Sequence, residues 1–110
     1  MSKVPFLTKQ ITAPYTIPSG IVTTATSIIQ RIFDTMPEVG VITTKSVGLT
    51  PRSGYREPVI SQYAPGCFVN AVGLTNPGAE QLAAQLATLR VPADRFLLTS
   101  IFGGSVEEFV

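Results

Sequence analysis

Hydrophobic and polar positions change period along the chain, and each change marks an element. The opening stretch sets Pro5, Pro14 and Pro18 between short β-prone pieces, Gln10-Ile11-Thr12 and Tyr15-Thr16-Ile17. Proline is confined to strand ends and edges, so this reads as an extended hairpin or arm leading into a first core strand near residues 15 to 18. From Thr24 the period lengthens: Ile28, Ile29, Ile32, Phe33 and Met36 fall at i, i+1, i+4, i+5 and i+8, the stripe of an amphipathic helix. Pro37 closes it. After Gly40, Val41-Ile42-Thr43-Thr44 is β-branched throughout, which suits a strand buried on both faces of a parallel sheet.

Residues 46 to 76 hold Pro51, Gly54, Pro58, Pro65, Gly66 and Gly73 and show no long helical period. They read as a long excursion carrying a small hairpin, the kind of loop a compact domain keeps for function. Asn76-Pro77 then opens a second helix, with Asn76 as N-cap, Pro77 at the first helical position and Glu80 in the positive first turn. Leu82, Leu86 and Leu89 supply its buried stripe, and Phe96 to Ile101 a third strand. Strand, helix, strand, helix, strand predicts right-handed βαβ crossovers and a parallel sheet. Ser105-Val106-Glu107-Glu108 reads as a capping box for a further helix. One turn of helix cannot cover a sheet face, so residues 1–110 are expected to form a single incomplete domain.

Charge narrows the partners. Lys and Arg number 8 against 7 for Asp and Glu, a formal net charge of +1, with none of the basic excess that nucleic acid or an anionic membrane attracts. No apolar run approaches the roughly 18 residues of a membrane span, and the amino terminus lacks a signal-like apolar core. A cytoplasmic location is the expectation. With one cysteine, Cys67, and no histidine, neither an internal disulfide, nor a Cys/His zinc site, nor a Ser-His-Asp or Cys-His hydrolase can be assembled from these residues. Phe68 and Val69 beside Cys67 suggest a small buried thiol, the usual fate of a free cysteine.

Candidate chemistry gathers after the strands. Lys45 follows a β-branched strand directly and projects from its carboxyl end; its plain alternative is a strand-end lysine with its head in water. Ser19, Gly20 and Ser46 stand in the corresponding turns, where a serine can equally bond its own backbone. Asn70 with the backbone of Ala71, Val72, Gly73 and Leu74 offers an amide and exposed peptide groups, a set of hydrogen-bond donors and acceptors in one short loop; the alternative is a turn leading into Asn76. Gly103-Gly104-Ser105 could hold a phosphate at a helix start. Arg52 and Arg56 read as loop ties or solvent-facing charges.

Three segments carry a family resemblance: Pro18-Ser19-Gly20, the run from Thr44 through Lys45-Ser46-Val47-Gly48 to Gly54, and Asn70-Ala71-Val72-Gly73-Leu74-Thr75-Asn76-Pro77-Gly78. In this order and spacing, continued by Gly103-Gly104-Ser105 and Glu107-Glu108-Phe109-Val110, the chain from about residue 14 resembles the amino-terminal part of a class 1 dihydroorotate dehydrogenase. Pro18 stands where members usually have Ala, and Val59 follows Pro58 where a second Pro-Arg pair is common.

The resemblance implies an α/β fold, the amino-terminal part of a (β/α)8 TIM barrel, with about three βα units after the arm. Barrels of this kind place their chemistry at the carboxyl ends of the strands. It implies FMN as cofactor, contacted by Ser19, Gly20, Lys45 and Ser46, and dihydroorotate or orotate as ligand, held by Lys45, Asn70, Ala71, Val72, Gly73 and Leu74. A barrel phosphate site belongs after the seventh and eighth strands, which argues against Gly103-Gly104-Ser105. The family's base, Ser or Cys, belongs to a loop after a fourth strand, so Cys67 is not that base and this segment alone is expected to be inactive. The remaining barrel, and a homodimer of the complete enzyme, are the implied partners. Two other readings stay open: a related pyrimidine reductase that shares Lys45, and a non-catalytic half-barrel used for assembly.

Overall fold

The structure is a computed structural model that describes residues 3–110. Its elements run β1 (Val4–Phe6), β2 (Lys9–Ile11), β3 (Tyr15–Ile17), α1 (Thr26–Thr35), β4 (Val39–Thr43), β5 (Ile60–Ala64), β6 (Cys67–Asn70), α2 (Ala79–Leu86) and β7 (Phe96–Leu98), with a 3-10 turn at Val106–Phe109. Strands β3, β4 and β7 form a parallel sheet with β4 in the middle. The β1–β2 and β5–β6 pairs are separate antiparallel hairpins.

Strand β4 is central because its side chains can be buried on both sides. Val39, Gly40, Val41 and Ile42 are all buried, and Ile42 is fully enclosed. The pairing puts Ile17, Ile42 and Leu97 in one row across the sheet. That row packs against Ile29, Ile32 and Phe33 of α1 and against Leu89 beyond α2. Gln30 adds a reciprocal amide pair, its Oε1 accepting the Arg90 N–H at 2.8 Å and its Nε2 donating to the Arg90 carbonyl at 3.3 Å. Both crossovers therefore meet on one face of the sheet.

Alternation sends the next row, Thr16, Val41 and Phe96, to the opposite face. There the β1–β2 hairpin closes the amino end. Phe6 meets Phe96 edge to face at 5.2 Å between centroids, and the Lys9 ammonium lies 4.9 Å from the same ring. Thr12 donates its hydroxyl to the Pro37 carbonyl and its N–H to that of Asp94. Arg95, buried, donates from one guanidinium nitrogen to the Met36 and Val39 carbonyls, which satisfies the chain where α1 passes into β4.

Several expectations need correction. Ile28 and Met36, at the margins of the α1 stripe, are exposed. Helix α2 begins at Ala79 with Gly78 as its N-cap, so Asn76 is not the cap and Pro77 not the first helical residue. Asn76 Oδ1 still accepts the Gly78 N–H two residues on, at 2.9 Å, as a turn ahead of the helix, and also accepts from Gly48 at 3.2 Å. On α2, Leu82 is buried and Leu86 half-buried, while Leu89, also half-buried, lies beyond the end of the helix. The third strand stops at Leu98, with Ile101 making only an isolated bridge to Val47. Ser105 makes no side-chain cap bond, and Glu108 reaches back to the Gly104 N–H at 2.6 Å instead, closing a 3-10 turn. Cys67 is exposed, because Phe68 and Val69 lie on a two-stranded hairpin that no other layer covers. Among the described residues, no helix is long and apolar enough to cross a membrane.

Candidate functional site

The carboxyl ends of the three parallel strands are joined by side-chain hydroxyls. Beyond β3, Ser19 Oγ lies 3.2 Å from Ser46 Oγ, which follows β4. Ser46 Oγ in turn lies 2.7 Å from Ser100 Oγ, which follows β7. Thr44, wholly buried, accepts the Ser100 N–H on its hydroxyl at 3.2 Å and donates its own N–H to the Leu98 carbonyl at 2.9 Å. Parallel pairing makes this row: strands in register end side by side, so the residue after each end meets its neighbour. Thr23, also buried, binds the β3 turn to β4, accepting from Gly20 N–H on its hydroxyl and from Lys45 N–H on its carbonyl.

Lys45 is half-buried and lies between two clefts. One, of about 240 Å³, is lined by Thr23, Thr24, Lys45, Ser46, Thr75 and Asn76 together with Val47, Pro77 and Leu82. The other, of about 480 Å³, is lined by Lys45, Arg52, Tyr55, Asn70 and the run Ala71 to Leu74. Two cations and no carboxylate line the second cleft, which therefore favours an anion. The position of Lys45, two residues past the end of β4, explains how one ammonium reaches both spaces: the strand is rigid and the side chain is the first long one beyond it.

The wall from Ala71 to Leu74 is a sharply bent loop. Gly73 has φ +82° and Leu74 φ +55°, left-handed backbone that a leucine adopts only when its surroundings hold it there. Asn76 holds it from below, its Nδ2 donating to the Leu74 carbonyl at 2.8 Å. Arg52 and Asn76 exchange both backbone hydrogen bonds at 2.9 Å, and the Tyr55 N–H donates to the Val72 carbonyl at 3.0 Å. The N–H groups of Val72, Gly73 and Leu74 find no partner among the described residues. Consecutive free donors at the mouth of a cationic cleft are suited to a carboxylate or a ring carbonyl.

The structure thus brings Ser19, Ser46 and Lys45 together on the strand ends, and Lys45, Asn70 and residues Ala71 to Leu74 around one cleft. Gly20 sits in the same β3 turn and faces open space, a Cβ built there meeting nothing within 4 Å. Cys67 lines neither cleft. Sequence reasoning missed Ser100, Thr44, Thr23, Arg52 and Tyr55. The strand-end rule that picked out Lys45 applies equally to Ser100, whereas nothing local marks Thr23.

Comparison with known proteins bears on the same residues. A family model described as dihydroorotate dehydrogenase matches residues 1–110. The chain is 35% identical over 99 residues to the dihydroorotate dehydrogenase B (NAD(+)) catalytic subunit of Methanocaldococcus jannaschii, covering 87% of this chain and 31% of that protein. It is 43% identical over 72 residues to the same subunit of Archaeoglobus fulgidus, covering 66% and 23%, and 35% identical over 96 residues to that of Pyrococcus abyssi, covering 87% and 30%. It spans less than a third of the length of these relatives. With the family model matched from end to end over the residues that build the strand-end hydroxyl row and the cationic cleft, the chain belongs to the dihydroorotate dehydrogenase family.

Proposed function

We propose that this chain is the amino-terminal part of a (β/α)8 barrel that oxidises dihydroorotate to orotate with FMN in pyrimidine biosynthesis, acting in the cytoplasm. The observation that carries the reading is Lys45 at the carboxyl end of β4, lining both clefts. A cation between the two spaces favours an anionic substrate on one side and an electron-rich ring on the other.

The residues present fit a flavin. Ser19, Gly20, Lys45 and Ser46 would hold it, since the strand ends offer hydroxyls, an ammonium and, in front of Gly20, room for a planar ring. The chemistry FMN supplies when bound is acceptance of a hydride. Substrate binding falls to the second cleft. Lys45 attracts the carboxylate, Asn70 offers its amide, and the free N–H groups of Val72, Gly73 and Leu74 meet acceptor oxygens. Held there, the ring is oriented before reaction, which is this segment's contribution to rate. Proton removal is left to the rest of the barrel: the chain has no histidine and Cys67 lies outside both clefts.

The edges of β3 and β7, each paired with β4 alone among the described residues, are where the remaining strands would add. The relatives' names state a catalytic subunit and NAD(+); we extend both to this protein, as a homodimer served by a second subunit that passes electrons to NAD(+).

The test uses the complete protein. It is expected to carry flavin absorbance released on denaturation and to turn over dihydroorotate in preference to dihydrouracil, with Lys45→Ala lowering kcat/KM about a hundredfold or more. Absence of flavin, or preference for the uncarboxylated ring, overturns the proposal.

A further inference from the structure

The segment Arg52 to Tyr55 packs along the loop that walls the second cleft, and within it Tyr55 meets Gly73 closely. A Cβ built on Gly73 would lie 2.8 Å from the Tyr55 ring at Cδ2, 3.0 Å from Cγ and 2.8 Å from the Tyr55 backbone nitrogen. That nitrogen donates to the carbonyl of Val72, the residue before. The Tyr55 side chain also borders the cleft itself, beside Lys45, Arg52 and Asn70.

Resting on the function proposed above, we infer that Tyr55 is a positioning residue for the substrate: its N–H holds Val72 and its ring backs Gly73, fixing the bend whose left-handed residues are Gly73 and Leu74 and leaving the N–H groups of Val72, Gly73 and Leu74 for the ligand. The loop is held at several points. Asn76 grips the Leu74 carbonyl from one side, and Tyr55 presses on Gly73 from the other. With the Tyr55 ring gone, the bend would relax into the wider backbone space open to glycine, and the three donors would lose their fixed arrangement.

Tyr55 is 62% exposed and lies outside the core cluster. Its ring is therefore not needed to bury the sheet, and removing it should act on the loop without unfolding the domain. Gly73 cannot take a side chain for the same reason that Tyr55 can touch it: the two are already in contact.

The experiment compares wild type, Tyr55→Ala and Tyr55→Phe in the complete protein, reading kcat and KM for dihydroorotate, orotate affinity by calorimetry, bound flavin by absorbance, and the unfolding midpoint. Tyr55→Ala is expected to raise KM and weaken orotate about tenfold, with kcat within about twofold, flavin content equal to wild type and the midpoint nearly unmoved; Tyr55→Phe, which keeps the ring, is expected to restore KM. Unchanged KM and orotate affinity in Tyr55→Ala overturn the inference, as does a Tyr55→Phe variant as impaired as Tyr55→Ala, which would make the hydroxyl a direct ligand. Wild type without dihydroorotate turnover or orotate binding overturns the underlying function and this inference with it. Turnover by wild type combined with an indifferent Tyr55→Ala overturns the inference alone.

Discussion

Asn76 Oδ1 accepts the Gly48 N–H at 3.2 Å across 28 positions of sequence, tying the loop after β4 to the approach of α2. The same oxygen accepts from Gly78 at 2.9 Å, and Nδ2 donates to Leu74 at 2.8 Å. One half-buried amide thus fixes three backbone segments around the clefts. Asn76→Ala leaves those groups without partners, and at roughly 1 kcal/mol or more each the expected loss is about 2–3 kcal/mol. Urea unfolding of the complete protein measures it. Asn76→Asp keeps both acceptor contacts, strengthened by the charge, but sets an oxygen against the Leu74 carbonyl where the donor stood; it should still cost less than alanine, and equal losses would show that the acceptor contacts do no more than offset that repulsion.

Ser46 and Ser100 share a hydrogen bond of 2.7 Å between neighbouring strand ends. Ser46 also stands 3.2 Å from Ser19, so Ser100 aims a hydroxyl that in the proposed function faces the flavin. Ser100→Ala removes that aim at a net cost of about 1 kcal/mol, or about fivefold in FMN affinity. Fluorescence titration of the apoprotein with FMN reads the change. Affinity equal to wild type would mean that Ser46 is oriented by Ser19 alone.

The Glu107 carboxyl has a shifted acidity. Its own backbone N–H first, and the Ser105 hydroxyl second, hold its pKa below the ordinary glutamate value. Because folding lowers the pKa, the favourable contribution is present above the unfolded value and fades as pH falls through the lowered folded one. The side chain is fully exposed, so this is a local effect on the 3-10 turn and not a determinant of global stability. An NMR titration should show Glu107 titrating at lower pH than in Ser105→Ala, with the backbone contribution remaining.

Legibility in the sequence followed the range of the forces involved. Strand β4 could be read because Val41, Ile42, Thr43 and Thr44 are β-branched in succession, and α1 because Ile29, Ile32 and Phe33 recur at helical spacing. Both are local patterns, and the structure keeps both. The start of α2 is two residues later than its local signals say: Asn76 makes the short-range bond of an N-cap to the Gly78 N–H, yet Gly78 itself stands at φ +85° and the helix opens only after it. The exposure of Cys67 has no local signature, because Phe68 and Val69 have the apolar character of core residues yet stand exposed on the β5–β6 hairpin. At the candidate site, Lys45 stood out by following a strand directly; Ser100 did so too, but its meaning depends on a register that sets it beside Ser46. Tyr55 had no local signal, since its partner Gly73 is reached only once the two loops are stacked.

Gly40 gives the clearest steric prediction. It opens the buried face of β4 where the chain descending from β2 crosses the sheet, and a Cβ built there would collide with the Ala13 carbonyl oxygen and lie 2.8 Å from Ile11 Cδ1. Both neighbours are fully buried, so neither can swing into solvent to make room. The carbonyl is backbone and can move only if the link between the β1–β2 hairpin and β3 shifts with it. Gly40→Ala is therefore expected to cost at least about 1–3 kcal/mol, the range for overfilling a packed site. It should also loosen the hairpin that seals the amino end, so that amide exchange rises at Thr12, whose N–H is held by Asp94, more than at Thr44 on the opposite end. The strand ends bearing Lys45 and Ser46 lie away from the collision. Orotate affinity near wild type in a less stable Gly40→Ala protein is the expected pairing, measured by calorimetry beside denaturant unfolding; undiminished stability would show that Ala13 is not fixed against β4.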